Sequence, residues 1–270
     1  MLRLYEHPLS PYVRKVKIVL NLKGIPYERI YVNPVDVDPA VLAAFAAASP
    51  LREVPALVDD DLAIFDSTVI LEYLEERWPN PPALPESAAE RARVRMLEEL
   101  CDTQLEAVNW GLMEIRFFKR LEGDEAEATV ARARAQLDRC FGRLERELEG
   151  RPWLNGECFG RGDAAAYPHA TGSAFWGVAL DAARHPRLAD WAARCAAEPA
   201  VKQDADELSA WIRANLGGGA SVGGGASAMA SMPIVRQYRD HRLEWMMRTG
   251  GVDVVLRGLE NGTIRFQTEY

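Results

Sequence analysis

Ser10 stands directly before Pro11, and that pair can do two things. Serine is a strong helix N-cap and proline suits the first helical position, so the pair can simply start a helix. The same geometry can hold an anion, because a hydroxyl and unpaired amides at a helix amino end favour negative charge. Asp66-Ser67, ahead of the apolar-striped run TVILEYL, offers the same choice between cap and anion site. Val54-Pro55 leads into Ala56-Leu57-Val58, where a plain turn before a strand accounts for it. Other chemistries find little footing. Ser10 does not sit in a G-x-S-x-G elbow, which disfavours a serine hydrolase. The four cysteines, Cys101, Cys140, Cys158 and Cys195, form no CxxC pair and the four histidines no HExxH. Zinc and a dithiol redox centre are therefore disfavoured, and no metal is expected.

The elements that must carry these residues alternate over the first eighty positions. Leu2-Arg3-Leu4-Tyr5 alternates as a strand does. Val13, Val16, Val19 and Leu20 recur at helical spacing up to Gly24. Tyr27 to Val32 reads as a strand and Pro39 to Ala48 as a short helix. Ala56 to Val58 and Leu62 to Phe65 form a hairpin across an Asp-rich turn. Ser67 opens a helix with Val69, Ile70, Tyr73, Leu74 and Trp78 on its apolar stripe. The order β-α-β-α-β-β-α predicts a small mixed sheet.

After Trp78 the composition changes. PNPPALPES (residues 79–87) reads as a linker ending at an N-cap, Ser87. Helices are predicted over 88–121, 124–149, 163–180, 187–197 and 200–214. Residues 217–231 form a glycine-rich, flexible linker. Beyond it, helices are predicted over Pro233 to Arg248 and on the face of Val252, Val255, Leu256 and Leu259, then a strand-like TIRFQ. So small a piece buries little core alone and should dock on the body or on a partner subunit.

The 270 residues are 48% hydrophobic and 27% charged, which suits a globular chain with real cores. A net charge of −8 argues against nucleic acid as a partner, since phosphate-tracking surfaces are basic. No apolar run approaches the length that spans a bilayer, and the charged, proline-broken start is no signal peptide. A cytoplasmic location is expected.

Taken together, HPLSPYVRKV, REVPAL, DSTVILEYLEERWP and FGRGDAAAYPH resemble the cytosolic glutathione transferases of the serine type, over roughly residues 1–215. The resemblance implies a thioredoxin-like domain over 1–79 with a mixed four-stranded sheet and an all-helical domain over 87–216; the small docked extension over 232–270 lies beyond it. It implies that Ser10 donates a hydrogen bond to the glutathione thiolate, with Tyr5 and Tyr12 as fallback donors. Free thiols titrate near pH 8.5, so a shift of about two units takes roughly 2.7 kcal/mol. One charge-assisted hydrogen bond plus a helix dipole can supply that. Pro55 should be cis, with the Val54 backbone pairing the cysteinyl part of glutathione as an added strand. Glu53 lies beside this position where many relatives carry Gln or Lys, so its side chain should point away from the glycyl carboxylate. Ser67, and after it Asp66, should meet the γ-glutamyl carboxylate and ammonium.

The resemblance also leaves gaps. Residues 34–41 lack the basic group expected for the glycyl carboxylate, with Arg52 and Arg14 only distant substitutes. Asp163 matches the family's N-capping box, with Gly160 in place of Ser or Thr. Trp110, Met113, Phe117 and Phe118 are either lining of an electrophile pocket or core, and Arg116, Lys119 and Arg120 read as a solvated face. The implied activity is conjugation of glutathione to a small electrophile by a homodimer, in the detoxifying manner of the family. The alternatives are a glutathione-dependent isomerase, lyase or dehalogenase, or a non-catalytic binding protein on the same scaffold.

Overall fold

The alternation at the amino terminus folds as strand β1 (Leu2–Glu6) in the computed structural model, which describes residues 1–32, 38–216, 245–246 and 248–263. Then follow α1 (Pro11–Leu22), β2 (Tyr27–Tyr31), α2 (Pro39–Ala48), β3 (Ala56–Asp59), β4 (Leu62–Phe65) and α3 (Ser67–Arg77), in the predicted order. The strands lie as β2-β1-β3-β4, with β1 parallel to β2 and antiparallel to β3, and β4 antiparallel to β3. Period-two alternation sorts the side chains. Leu2 and Leu4 enter one core with Val16, Val19, Ile70 and Leu74, while Tyr5 enters another with Phe45, Ala56 and Val58.

One detail of α3 departs from the reading of its sequence. Its buried stripe is Ser67, Ile70, Leu71, Leu74 and Glu75, whereas Val69 is 53% exposed. Of the two residues that could cap it, Asp66 is the N-cap.

The helical part comprises α4 (Ala88–Leu100), a π-helical turn (Cys101–Leu105), α5 (Glu106–Arg116), α6 (Gly123–Glu147), α7 (Arg161–Gly172), a 3₁₀ turn (Ser173–Trp176), α8 (Pro186–Ala197) and α9 (Pro199–Leu216). The helix predicted over 88–121 is thus interrupted by the π turn and stops at Arg116. The one predicted over 163–180 stops at Gly177, whose φ of 82° is the left-handed conformation that ends helices. Leu112, Leu137, Leu144, Leu188 and Trp191 are fully buried in this core, each contributing roughly 1.5–3 kcal/mol by burial. α1 packs on both α7 and α9, so the sheet part and the helical part share an interface along it.

The chain divides into two compact units, Met1–Ser231 and Met232–Tyr270. In the second, α10 (Val252–Glu260) realises the predicted helix. The glycine-rich linker, most of the 233–248 helix and most of TIRFQ lie outside the described residues. No helix among the described residues is long and apolar enough to cross a membrane.

Candidate active site

Register alone gathers the three motifs. Tyr5 pairs with Ala56, and Ala56 with Phe65, so one row crosses β1, β3 and β4. The chain leaves β1 toward Ser10, enters β3 from Glu53-Val54-Pro55, and leaves β4 into Asp66-Ser67. All three segments therefore meet at one end of the sheet.

Ser10 caps α1 from extended backbone (φ −74°, ψ 119°), followed by Pro11 at the first helical position. Its Oγ accepts the Val13 amide at a long 3.4 Å, which leaves the hydroxyl hydrogen free to donate. The first turn of α1 contains no acidic residue, so nothing there cancels the positive end of its dipole. Both the cap and the anion reading of Ser10 fit this geometry.

The Val54–Pro55 peptide is cis. The loop before it is pinned by Ser49, which is buried, donates to the Glu53 carbonyl at 3.0 Å and accepts the Glu53 amide at 3.1 Å. Ladder pairing of β3 with β1 starts at Ala56 and, among the described residues, no loop bond uses Val54, so its amide and carbonyl stay available there at the open end of the strand. Asp66 holds φ at 73°, a conformation rarely adopted by residues with a side chain. Its Oδ1 accepts the amides of Thr68 and Val69 at 2.9 and 3.0 Å. That leaves the Ser67 amide as the unpaired donor of this helix end. Arg52, at φ 54°, is the other left-handed residue of the site. Such outliers concentrate at functional positions.

The fallback tyrosines are committed elsewhere. Tyr5 is buried against the Phe45 ring, 5.6 Å between centroids. Tyr12 donates its hydroxyl to the Asp102 carbonyl at 2.7 Å, and burial, reinforced by Glu106 and Asp102, pushes its phenol far above the usual range. Arg14 is tied to Asp204 at 2.8 Å, so it is no reserve for the glycyl carboxylate.

Beneath the site lies a buried charge network that sequence reasoning missed. Lys15, fully buried, reaches Glu98 at 2.8 Å, Asp102 at 2.5 Å and Thr68 at 3.3 Å. Arg161 joins Glu98 to Glu72. His169 sits between Asp102 at 3.2 Å and Glu106 at 3.5 Å. Burial opposes charge on this ring, but the two carboxylates outweigh it and raise its pKa. Asp102 is also buried, yet His169 and Lys15 hold its carboxyl below the ordinary value. Lys17 pairs with Glu6, Asp204 and Glu207, and Lys23 with Glu75. In sequence the only hint was that Lys15, Lys17 and the C-cap Lys23 lie on or beside one short helix rich in apolar residues.

In the helical domain, Phe117 is buried edge-on to Phe118 and Trp176, a core position, while Trp110 and Met113 are half-buried. Arg116 pairs with Glu127, and Arg120 with Glu114 while covering the Phe118 ring; Lys119 is exposed. That face is solvated, as expected. Asp163 accepts the Gly160, Leu154 and Asn155 amides and the Trp191 indole, which is a structural role. Among the described residues no group of three or more His, Cys, Asp or Glu could hold a metal ion.

Residues 4–82 match the family model "Glutathione S-transferase, N-terminal domain", and residues 127–194 match "Glutathione S-transferase, C-terminal domain". The chain is 32% identical over 218 residues to the probable glutathione S-transferase GSTU6 of Oryza sativa subsp. japonica, covering 74% of this chain and 87% of that protein. It is 33% identical over 152 residues to glutathione S-transferase U6 of Arabidopsis thaliana, covering 56% of this chain but only 62% of that protein. Among solved structures, a glutathione S-transferase from Rhodospirillum rubrum F11 superposes with a TM-score of 0.66 at 30% identity, covering 76% of this chain and 91% of that one. A Methylobacterium radiotolerans glutathione S-transferase in complex with glutathione sulfonate gives 0.61 at 30% identity, covering 75% and 93%.

Proposed function

The chain belongs to the glutathione S-transferase family, and we propose that it conjugates the glutathione thiolate to a small, apolar electrophile. The observation that carries this reading is Ser10. It stands at the amino end of a helix whose first turn has no acid, with its hydroxyl hydrogen uncommitted. Glutathione extends the sheet end through the free Val54 backbone and sets its γ-glutamyl carboxylate on the Ser67 amide, with the second Asp66 oxygen facing its ammonium. Ser10 then donates to the sulfur and holds it as an anion near the electrophile.

Removing the Ser10 hydroxyl tests this. Ser10→Ala should lower turnover with an aromatic halide ten-fold or more, about 1.4 kcal/mol of barrier. An Ala variant with unchanged turnover and an unchanged pH profile would remove Ser10 from the mechanism. Parallel assays with haloalkanes and unsaturated acids separate conjugation from dehalogenation and isomerisation. Calorimetry that finds no glutathione binding at millimolar ligand would favour a non-catalytic protein.

The homodimer is part of the same proposal. Leu62 and Phe65 on edge strand β4 are 48% and 41% exposed, and Val69 and Met96 are 53% and 63% exposed. The Glu72–Arg95 pair places the exposed sides of α3 and α4 next to one another. Apolar exposure on this scale suits an interface, and Val69→Lys with Met96→Lys should halve the mass in solution.

A further inference from the structure

We propose that His7 is a positioning residue for Ser10: its neutral ring, wedged between Tyr31 and Trp211 with Nδ1 accepting the Leu9 amide, fixes the turn that presents the Ser10 hydroxyl. The inference rests on the reading of Ser10 as the thiolate's donor and adds the group that aims it.

The accounting of backbone donors is what points to His7. Between β1 and α1 run His7, Pro8, Leu9 and Ser10. Pro8 has no amide hydrogen, and the two amides that follow both end on His7. Leu9 donates to the ring nitrogen Nδ1 at 3.3 Å, and Ser10 donates to the His7 carbonyl at 2.9 Å. The imidazole therefore plays the part an Asx side chain plays in a turn, accepting from the amide two residues ahead. Both bonds close the turn that leads into Ser10, and the second fixes the Ser10 amide itself.

Accepting at Nδ1 requires a lone pair there, so the ring proton resides on Nε2, 3.4 Å from the Tyr31 hydroxyl. Two aromatic neighbours hold the ring: Tyr31 at 5.4 Å and Trp211, edge-on, at 5.3 Å. Charged groups on the surrounding elements pair among themselves: Glu6 with Arg29 and Lys17, Asp204 with Arg14 and Lys17, and Glu207 with Lys17 and Arg29. A second proton on the ring gains no carboxylate from them, and burial holds the His7 pKa down to about 4. The acceptor on Nδ1 thus persists through the neutral range.

The test measures the thiol pKa of bound glutathione, by its ultraviolet titration, in the full chain and in His7→Leu, His7→Asn and Ser10→Ala, with ring-nitrogen shifts of ¹⁵N-labelled wild type. Asn carries an acceptor oxygen where the imidazole has Nδ1; Leu fills space only. His7→Leu should raise the bound thiol's pKa by about one unit, a ten-fold loss of thiolate preference. His7→Asn should stay near wild type, and the wild-type ring should show the Nε2–H tautomer. A ring protonated on Nδ1, an unshifted His7→Leu, or equal losses in Leu and Asn would each overturn the proposal. If His7→Leu does not fold, His7→Asn and the tautomer decide. Ser10→Ala separates the two readings: a thiol unmoved by that change refutes the donor itself, whereas a thiol raised there and not in His7→Leu refutes only His7.

Discussion

Tyr12 donates its hydroxyl to the backbone carbonyl of Asp102 at 2.7 Å, joining the first turn of α1 to the π turn of the helical domain. A π turn inserts a residue and re-aims the carbonyls around it, and here one of them meets a phenol two positions beyond Ser10. Tyr12→Phe keeps the ring and removes the donor, leaving that carbonyl without it. Stability in urea should fall by about 1–2 kcal/mol. Because the bond steadies the helix end that bears Ser10, turnover should fall as well, with little change in KM for glutathione.

Lys15 should be the least replaceable lysine. It is buried with Glu98 and Asp102 around its ammonium. Lys15→Met would leave Glu98 to Arg161 and Asp102 to His169 and take one cation from a buried cluster, a change that costs about 3–5 kcal/mol when one partner of a buried pair is lost. Exposed pairs such as Arg116–Glu127 should yield less than about 1 kcal/mol on the same treatment. Paired urea titrations of Lys15→Met and Arg116→Met compare the two.

Two histidines should shape the pH dependence of stability with opposite signs. His7 has a folded pKa lowered to about 4, so its contribution is complete above the unfolded value of about 6.5 and is lost as pH falls through 4. The full loss reaches roughly 3 kcal/mol at most. His169 has a raised folded pKa, so its contribution is complete below about 6.5 and is lost as pH rises through the folded value. The ion pairs around it agree: Glu72, Glu98, Asp102 and Glu106 face Lys15, Arg95 and Arg161, and the fourth cation is the charged His169. Urea midpoints from pH 4 to 9 should form a dome, with His7→Asn flattening the acid side and His169→Gln the alkaline side.

What the sequence disclosed and what it hid follow from the range of the interactions. Leu2 and Leu4, the hairpin around residues 59–61 and the Ser10-Pro11 cap are local patterns, and each gave its element directly. The three-way meeting of Ser10, Val54 and Ser67 was reachable only through the family resemblance, because strand order is not local. Lys15, Lys17 and Lys23 drew no reading from the sequence, yet all three are buried. Their partners lie as far as 190 residues on, at Glu207, and no periodicity within twelve residues can announce them. Val69 failed for a related reason: it lies one turn before Tyr73, but what lies beyond its face is not written in α3.

Gly160 shows the same limit and yields the last prediction. By local rules Ser is the better cap, and Asp163 three residues on completes half of a capping box by accepting the Gly160 amide at 3.1 Å. A β-carbon at Gly160, however, would stand 2.2 Å from Asn155 Nδ2 and 2.5 Å from the Ala83 carbonyl oxygen. Its φ of −171° is ordinary extended backbone, so crowding and not conformation demands glycine here. The Ala83 oxygen is fixed, since it accepts the Arg161 amide at 2.8 Å and its own amide is held by Glu75. Gly160→Ser should therefore destabilise by about 1–3 kcal/mol despite its better capping hydroxyl. Gly160→Ala should lose more, because it adds the clash without a cap. Equal or greater stability of the Ser variant in thermal unfolding would show that the Ala83 loop gives way, and that the local rule wins.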